Sequence, residues 1–247
     1  FDDVLLVPSY SDVKSRMATD ISTVVAGIKL KIPIISSPMD TVTESIMAIA
    51  IANAGGMGII HRFMTIEEQI LHLRRVARAS SFQDGVPYPI VPAVGVGKEE
   101  RDRVVRILNS MNPYSVSAIA IDIANGHSTL MKEMIDFVNQ KTGGSVPVIA
   151  GNVATGDGFL YLVEAGADAV RVGVGGGSIC KTRVMTGFGV PTLTSIMDCY
   201  RAKESNSIAA SIIADGGIKY PADLSKSIVA GADAIMVGKV FAGTDES

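Results

Sequence analysis

Apolar residues in this chain follow two rhythms. Short, nearly unbroken runs rich in Val, Ile and Ala stand at 32–37, 57–61, 90–96, 118–123, 146–152, 169–173, 212–216 and 234–238. Runs without polar alternation are the mark of strands covered on both faces, as in a parallel sheet. Between them, 66–79, 99–111, 129–141 and 193–205 place apolar residues three and four apart, the spacing of a helix with one buried stripe. Eight strands with helices between them predict βα alternation and a parallel sheet, either closed or open and doubly wound. The strand count favours closure, so the expected fold is a single parallel (β/α)8 barrel, a TIM barrel, with 1–247 as one domain. An internal echo supports it: Gly166-Ala-Asp-Ala-Val-Arg-Val-Gly173 against Gly231-Ala-Asp-Ala-Ile-Met-Val-Gly238. The echo also suggests that the two strand endings face similar chemistry.

Two stretches break the rhythm. The sixth and seventh strands are spaced more widely than the others, and the excess lies in 174–192, VGGGSICKTRVMTGFGVPT. A loop of that length in a compact domain is usually functional, and in such a barrel it lies at the C-terminal face, where active sites form. Residues 78–89 make a shorter polar linker after the second helix. Composition then narrows the function classes. A net charge of -3 argues against a nucleic-acid-binding surface, which needs clustered Lys and Arg. No apolar run reaches the roughly 18 residues of a membrane span, and no leader is visible, although the chain opens abruptly at Phe1. Two cysteines are too few for a disulfide framework or a structural zinc site, and the three histidines are scattered. The expectation is a cytoplasmic protein with neither nucleic acid nor membrane as partner.

Candidate chemistry collects at strand ends. In 173–180, GVGGGSIC, the glycines free the backbone to present N–H and C=O groups, Ser178 adds a hydroxyl, and Cys180 is a potential nucleophile with Thr182 two residues on. An incidental cysteine in a glycine-rich turn explains the same letters. Cys199, inside a helical pattern, reads as structural. The loops after strands seven and eight form phosphate sites in barrels of this kind. There, backbone N–H groups of Gly216, Gly217, Gly238 and Lys239 suit a phosphate and Asp215 suits ribose hydroxyls, or both are ordinary βα turns. Asp122 ends an apolar strand and reads as a ligand contact, or as a carboxylate serving local N–H groups beside an Asn125 or Ser128 helix cap. His61 fits either site or core, and His127 a solvated first turn. After strand one, Met39 suits contact with a base, while Thr43 or Asp40 caps a helix beginning near Glu44.

Taken together, FDDVLLVP, SSPMDTVTE, GGMGIIHRFM, AGNVAT, VGVGGGSICKTR, IADGGI and FAGTDES closely resemble the IMP dehydrogenase and GMP reductase family from Phe1 to Ser247. The resemblance implies a barrel that assembles as a homotetramer and acts on a purine nucleoside monophosphate (IMP, XMP or GMP). It implies that Cys180 attacks C2 of the purine, that hydride passes to or from a nicotinamide cofactor, and that Thr182 assists leaving-group or water chemistry. Ser37, Met39, Ser178, Asp215, Gly217 and Gly238 match its nucleotide positions. Asp122, Asn152 and Arg171 match positions near the cofactor, and carbonyls of Gly175, Gly177 and Cys180 match a monovalent-cation (K+) site. Two activities compete: an NAD-dependent dehydrogenase taking IMP to XMP, and an NADPH-dependent reductase taking GMP to IMP and ammonia. SSPMDTVTE, GGMGIIH and IADGGI are similar to the dehydrogenase. Lys14-Ser-Arg16, 121–126 and 185–189 are similar to the reductase, and Ile123 and Thr192 stand where dehydrogenases usually carry Ser and Gln. The linker at 78–89 is too short for the paired CBS modules many dehydrogenases carry. The catalytic flap expected after Ser247 lies outside this sequence, as for an ordered portion of a longer protein. An FMN-dependent barrel and a catalytically silent nucleotide-binding barrel are further alternatives.

Overall fold

The computed structural model describes residues 1–79, 87–177 and 182–247. Eight parallel strands close into a barrel: β3 (Ile34–Ser36), β4 (Met57–Ile60), β5 (Val91–Val94), β6 (Ile119–Asp122), β7 (Val148–Val153), β8 (Ala169–Val172), β9 (Ser211–Asp215) and β10 (Ala234–Val237). Neighbours pair in sequence order and β10 closes onto β3, so the expected closed sheet is found and the open one is not. Six strands fall inside the runs read from the sequence, while β7 goes one residue past its run, to Val153, and β9 starts one residue before its run, at Ser211. The sheet is buried on both faces, which is why those runs lack alternation.

Around it, among the described residues, lie α1 (Ser45–Asn53), α2 (Ile66–Ala79), α3 (Lys98–Ser110), α4 (Thr129–Thr142), α5 (Gly156–Glu164), α6 (Thr182–Thr186), α7 (Thr192–Ser205) and α8 (Pro221–Val229). Seven of these are the crossovers that the alternation demands. The eighth, α6, is a single turn and a half inside the long 174–192 loop, where no element was expected. Its Val184 and Met185 are exposed, so no apolar stripe announced it.

Alternate residues of each strand feed two different cores. One set (Ile35, Met57, Ile59, Ala93, Ala120, Ile149, Ala169, Ile213, Met236) fills the barrel interior, and the other packs against the helices. The interior is closed at the N-terminal end by a feature the sequence reading missed. Strands β1 (Thr23–Val25) and β2 (Ile28–Leu30) form an antiparallel hairpin whose Val25, Ala26 and Leu30 plug the barrel floor. Its two-residue turn holds Ala26 at φ 48 and Gly27 at φ 75, the left-handed pair that suits the twist of a hairpin. Thr23 donates to the Asp233 carbonyl at 2.8 Å and Ser211 to the Val24 carbonyl at 3.1 Å, tying the plug to β9 and β10.

The echoed octapeptides begin alike and end differently. Asp168 accepts from the Val148 amide at 2.8 Å and Asp233 from the Ile212 amide at 2.7 Å, so each aspartate anchors the strand preceding its own. At the other end β8 presents Arg171 where β10 presents Met236 to the apolar interior, and β9 separates the two. The expectation of similar chemistry at the two endings is therefore overturned, because one interior-facing side chain carries a charge and the other does not.

Candidate active site

The C-terminal mouth of the barrel holds one trough. It begins at Ser37, Met39, Gly216, Gly217, Gly238 and Lys239, crosses Asp122, Asn152, Arg171 and Asp215, and ends among Ala124, His127, Thr182 and Phe188. Adjoining parts share walls: Met39 and Asp215 belong to the first and second, Ala124 and Thr182 to the second and third. Ser37, Met39, Asp215, Gly216, Gly217, Gly238, Lys239, Asp122, Asn152, Arg171, Gly175, Gly177 and Thr182 thus all border this trough. Ser178 and Cys180 lie outside the described residues.

The first end is made of backbone and small side chains. Ser37 and Pro38 are buried and Met39 half-buried on the loop after β3. Gly238 lets that loop come close: a Cβ there would lie 3.0 Å from Met39 Sδ and 3.2 Å from Ser37 Oγ. Gly216, at φ 91, must be glycine for a second reason, since a Cβ would stand 2.9 Å from the Gly177 amide nitrogen in the turn that crosses above it. Behind this loop the Phe1 ring packs against Gly217, and buried Lys226 donates to the Phe1 carbonyl at 2.7 Å.

The middle is a charged cluster capping the apolar interior. Arg171 donates to Asp122 Oδ1 at 2.6 Å and to Asp215 Oδ2 at 2.8 Å, with its own side chain 6% exposed. Burial by itself favours loss of the guanidinium proton. Asp122 and then Asp215 outweigh it, so the pKa of Arg171 is raised above its ordinary value. Asn152 donates to the same Asp215 oxygen at 2.7 Å and to the Gly173 carbonyl at 2.8 Å. Asp122 thus serves an arginine across the barrel rather than nearby amides, and Ser128 separately caps α4 by accepting from the Met131 amide. Asn125 is not that cap.

The third end is the most apolar, walled by Val153, Ala154, Val174, Phe188 and Val190. The exposed His127 ring leans on Tyr161 with centroids 4.8 Å apart. Thr192, one of the two departures noted above, is buried as the first residue of α7, its Oγ1 where a Cβ on Gly176 would fall. Cys199 is buried in α7, and burial, with Asp198 adding, pushes its thiol up to about 12, as expected of a structural cysteine.

The helix cap expected at Thr43 or Asp40 is not found. Glu44 occupies the cap position of α1 without a side-chain cap bond, and the Thr43 hydroxyl instead donates to the Ser37 carbonyl at 2.6 Å. His61 is buried, its Nδ1 accepting from the Phe63 amide at 3.1 Å. Glu44 and His72 were not singled out from the sequence. Glu44 is exposed at the cap of α1 and His72 half-buried within α2, positions that look like ordinary surface until the elements are brought together.

All 247 residues match the family model described as the IMP dehydrogenase / GMP reductase domain. The inosine-5'-monophosphate dehydrogenase of Borreliella burgdorferi is 37% identical over all of this chain and 70% of its own length. That of Chlorobaculum parvum is 32% identical over all of this chain and 74% of its own length. The GMP reductase of Leishmania major is 31% identical over all of this chain and 75% of its own length. A closed (β/α)8 barrel, a trough at its C-terminal mouth and a match along the whole chain agree: this protein belongs to the IMP dehydrogenase / GMP reductase family of oxidoreductases.

Proposed function

We propose that this chain oxidises IMP to XMP with NAD through a covalent adduct between Cys180 and C2 of the purine. The observation that carries the reading is the single trough joining a glycine-built recess to a charged cluster, in a chain whose relatives include many IMP dehydrogenases.

In this reading the backbone N–H groups of Gly216, Gly217, Gly238 and Lys239 take the phosphate with the Ser37 and Ser178 hydroxyls. Asp215 accepts from ribose hydroxyls, and Met39 rests its thioether against the base. The Cys180 thiolate adds to C2, which becomes tetrahedral and able to release hydride, so one hard step becomes two easier ones. NAD supplies the hydride acceptor. Water then adds at C2 of the resulting thioimidate, with Thr182 as its hydrogen-bond partner. The C–S bond breaks, Cys180 regains its proton and XMP leaves; IMP, NAD and water become XMP, NADH and a proton.

The residues present fit a nicotinamide. Among the described residues, Asn152 Oδ1 and Arg171 Nε are buried without a hydrogen-bond partner, in two side chains that line the trough. A primary carboxamide carries the one donor and one acceptor such a pair lacks. Asp122 holds Arg171 in place and keeps it charged. A K+ ion would be held by the carbonyls of Gly175, Gly177 and Cys180, neutral ligands that suit a monovalent cation. The proposed assembly is a homotetramer.

GMP reduction with NADPH is the second reading. It is favoured by Ile123, which lines the trough where dehydrogenases usually carry Ser, and by the Leishmania reductases among the relatives. The test is absorbance at the reduced-nicotinamide band, comparing IMP plus NAD with GMP plus NADPH. A rise in the first mixture alone supports the dehydrogenase, and a fall in the second alone supports the reductase. With Cys180→Ala neither mixture changes, while nucleotide still binds. Wild-type turnover by that variant would remove the adduct from the mechanism.

A further inference from the structure

The Ser37–Met39 loop is tied down at its far end by a group that the proposed chemistry leaves unused. Glu44 lies between two imidazoles: its Oε1 is 3.6 Å from His61 Nε2, and its Oε2 is 3.5 Å from His72 Nε2. His61 lies just past the end of β4 and His72 in α2, so three elements meet on one carboxylate.

The proton positions follow from the other ring nitrogens. The Phe63 amide donates to His61 Nδ1 at 3.1 Å and the Ser45 amide to His72 Nδ1 at 3.3 Å. A backbone amide can only donate, so each Nδ1 carries a lone pair, and each neutral ring holds its proton on Nε2, facing Glu44. Each carboxylate oxygen therefore faces one N–H, at ion-pair rather than hydrogen-bond distance. Among the described residues the buried His61 Nε2 has no hydrogen-bond partner, and Glu44 is the acceptor it faces, at 3.6 Å.

The link to the recess is short. The Thr43 carbonyl accepts from the His61 amide at 3.3 Å, the Thr43 amide donates to the Met39 carbonyl at 3.0 Å, and the Thr43 hydroxyl donates to the Ser37 carbonyl at 2.6 Å. Glu44 follows Thr43 directly. Its two imidazole contacts therefore connect through Thr43 to the loop that carries Ser37 and Met39 beside Gly238.

We infer that Glu44, held by His61 and His72, is a positioning residue that sets the Ser37–Met39 loop for the nucleotide without touching it. The inference rests on the reading of the trough as a purine nucleotide site. Glu44→Gln keeps the shape but turns one acceptor into a donor facing an N–H, so one of the two contacts is lost. His72→Phe removes the same contact from the other side.

Calorimetric titration of the whole chain with IMP and with GMP, beside thermal melts, tests it. Glu44→Gln is expected to weaken nucleotide binding by about tenfold and His72→Phe by about fivefold, the scale of losing one close polar contact to a carboxylate. The double variant should bind no worse than the weaker single one, because both remove one shared contact. At saturating nucleotide the turnover number of each variant should stay within about twofold of wild type, so that KM moves and kcat does not. Folded variants that bind like wild type would overturn the inference and leave the site reading standing. So would a loss of melting temperature with unchanged affinity in the folded fraction, which marks Glu44 as structural only. If Glu44→Gln does not fold, the affinity of His72→Phe decides alone. A wild-type chain that binds neither IMP nor GMP would overturn site reading and inference together.

Discussion

Strands β8 and β10 carry nearly the same octapeptide and leave the barrel at opposite sides of β9, yet they build unlike halves of the trough. Up to Ala169 and Ala234 the two are equivalent: an aspartate pins the preceding strand and an alanine enters the interior. Two residues further the interior position is Arg171 in one and Met236 in the other. Arg171 gathers Asp122 and Asp215 into a buried ion cluster, whereas Met236 extends the apolar core. The glycines that end the strands diverge too. Gly173, at φ 146, lies so near the Asp215 carbonyl that a Cβ would overlap it, while Gly238 opens space for Ser37 and Met39. A repeated scaffold therefore serves two chemistries through its last interior residue and through what the terminal glycine approaches.

The largest effect is expected from making β8 resemble β10. Arg171→Met leaves Asp122 and Asp215 facing each other without a cation, and removing one partner of a buried ionic group costs about 3–5 kcal/mol. Urea denaturation measures it; a loss below about 1 kcal/mol would mean that water already satisfies the carboxylates.

The glycine contrast comes next. Gly173→Ala costs about 1–3 kcal/mol from its left-handed backbone, before any clash with the Asp215 carbonyl. Gly238→Ala should melt near wild type, because flexible Met39 can give way, yet bind IMP about tenfold more weakly. Equal melting losses in the two variants would erase the contrast.

The shared beginnings should respond alike and weakly. Asp168→Asn and Asp233→Asn each lose about 1 kcal/mol, more for Asp233, which also accepts from Lys203 at 2.9 Å, with IMP affinity unchanged in both. A change in affinity would extend the site down the strands.

The smallest effect is a pH dependence. Burial, more than the pull of Glu44, places the pKa of His72 below its ordinary 6.5; Arg75 and His61 push the same way and Glu68 opposes them. The folded pKa lies below the unfolded one, so the unfolded chain takes the proton first. The His72 contribution is whole above about pH 6.5 and is lost as pH falls towards the folded pKa. Melting temperatures of wild type and His72→Phe should therefore converge on acidification through that window. A constant gap would contradict it.

Much of this was legible in the letters. Buried parallel strands are apolar without alternation, so all eight stood out, and Asp122 and Asp215 read as strand-tip groups because polar residues interrupt such runs, whereas Arg171 came only from the family resemblance. The β1–β2 hairpin was missed because three-residue strands show too little period, although Ala26-Gly27 between β-branched residues was a usable turn signal. The Arg171 cluster and the Glu44 bracket were illegible for another reason: their members lie on different strands or helices, and only closure brings them together. Thr43 looked like a helix cap because its type suits one, but the fold gives its hydroxyl to the Ser37 carbonyl.

The central claim is that the β10 side of the trough holds the nucleotide and the β8 side serves the redox partner. Calorimetric titration of IMP into Asp122→Asn and Gly238→Ala tests it most directly. The account predicts wild-type affinity for Asp122→Asn and about tenfold weaker binding for Gly238→Ala. The reverse order, or equal losses in both, would contradict the division of the trough.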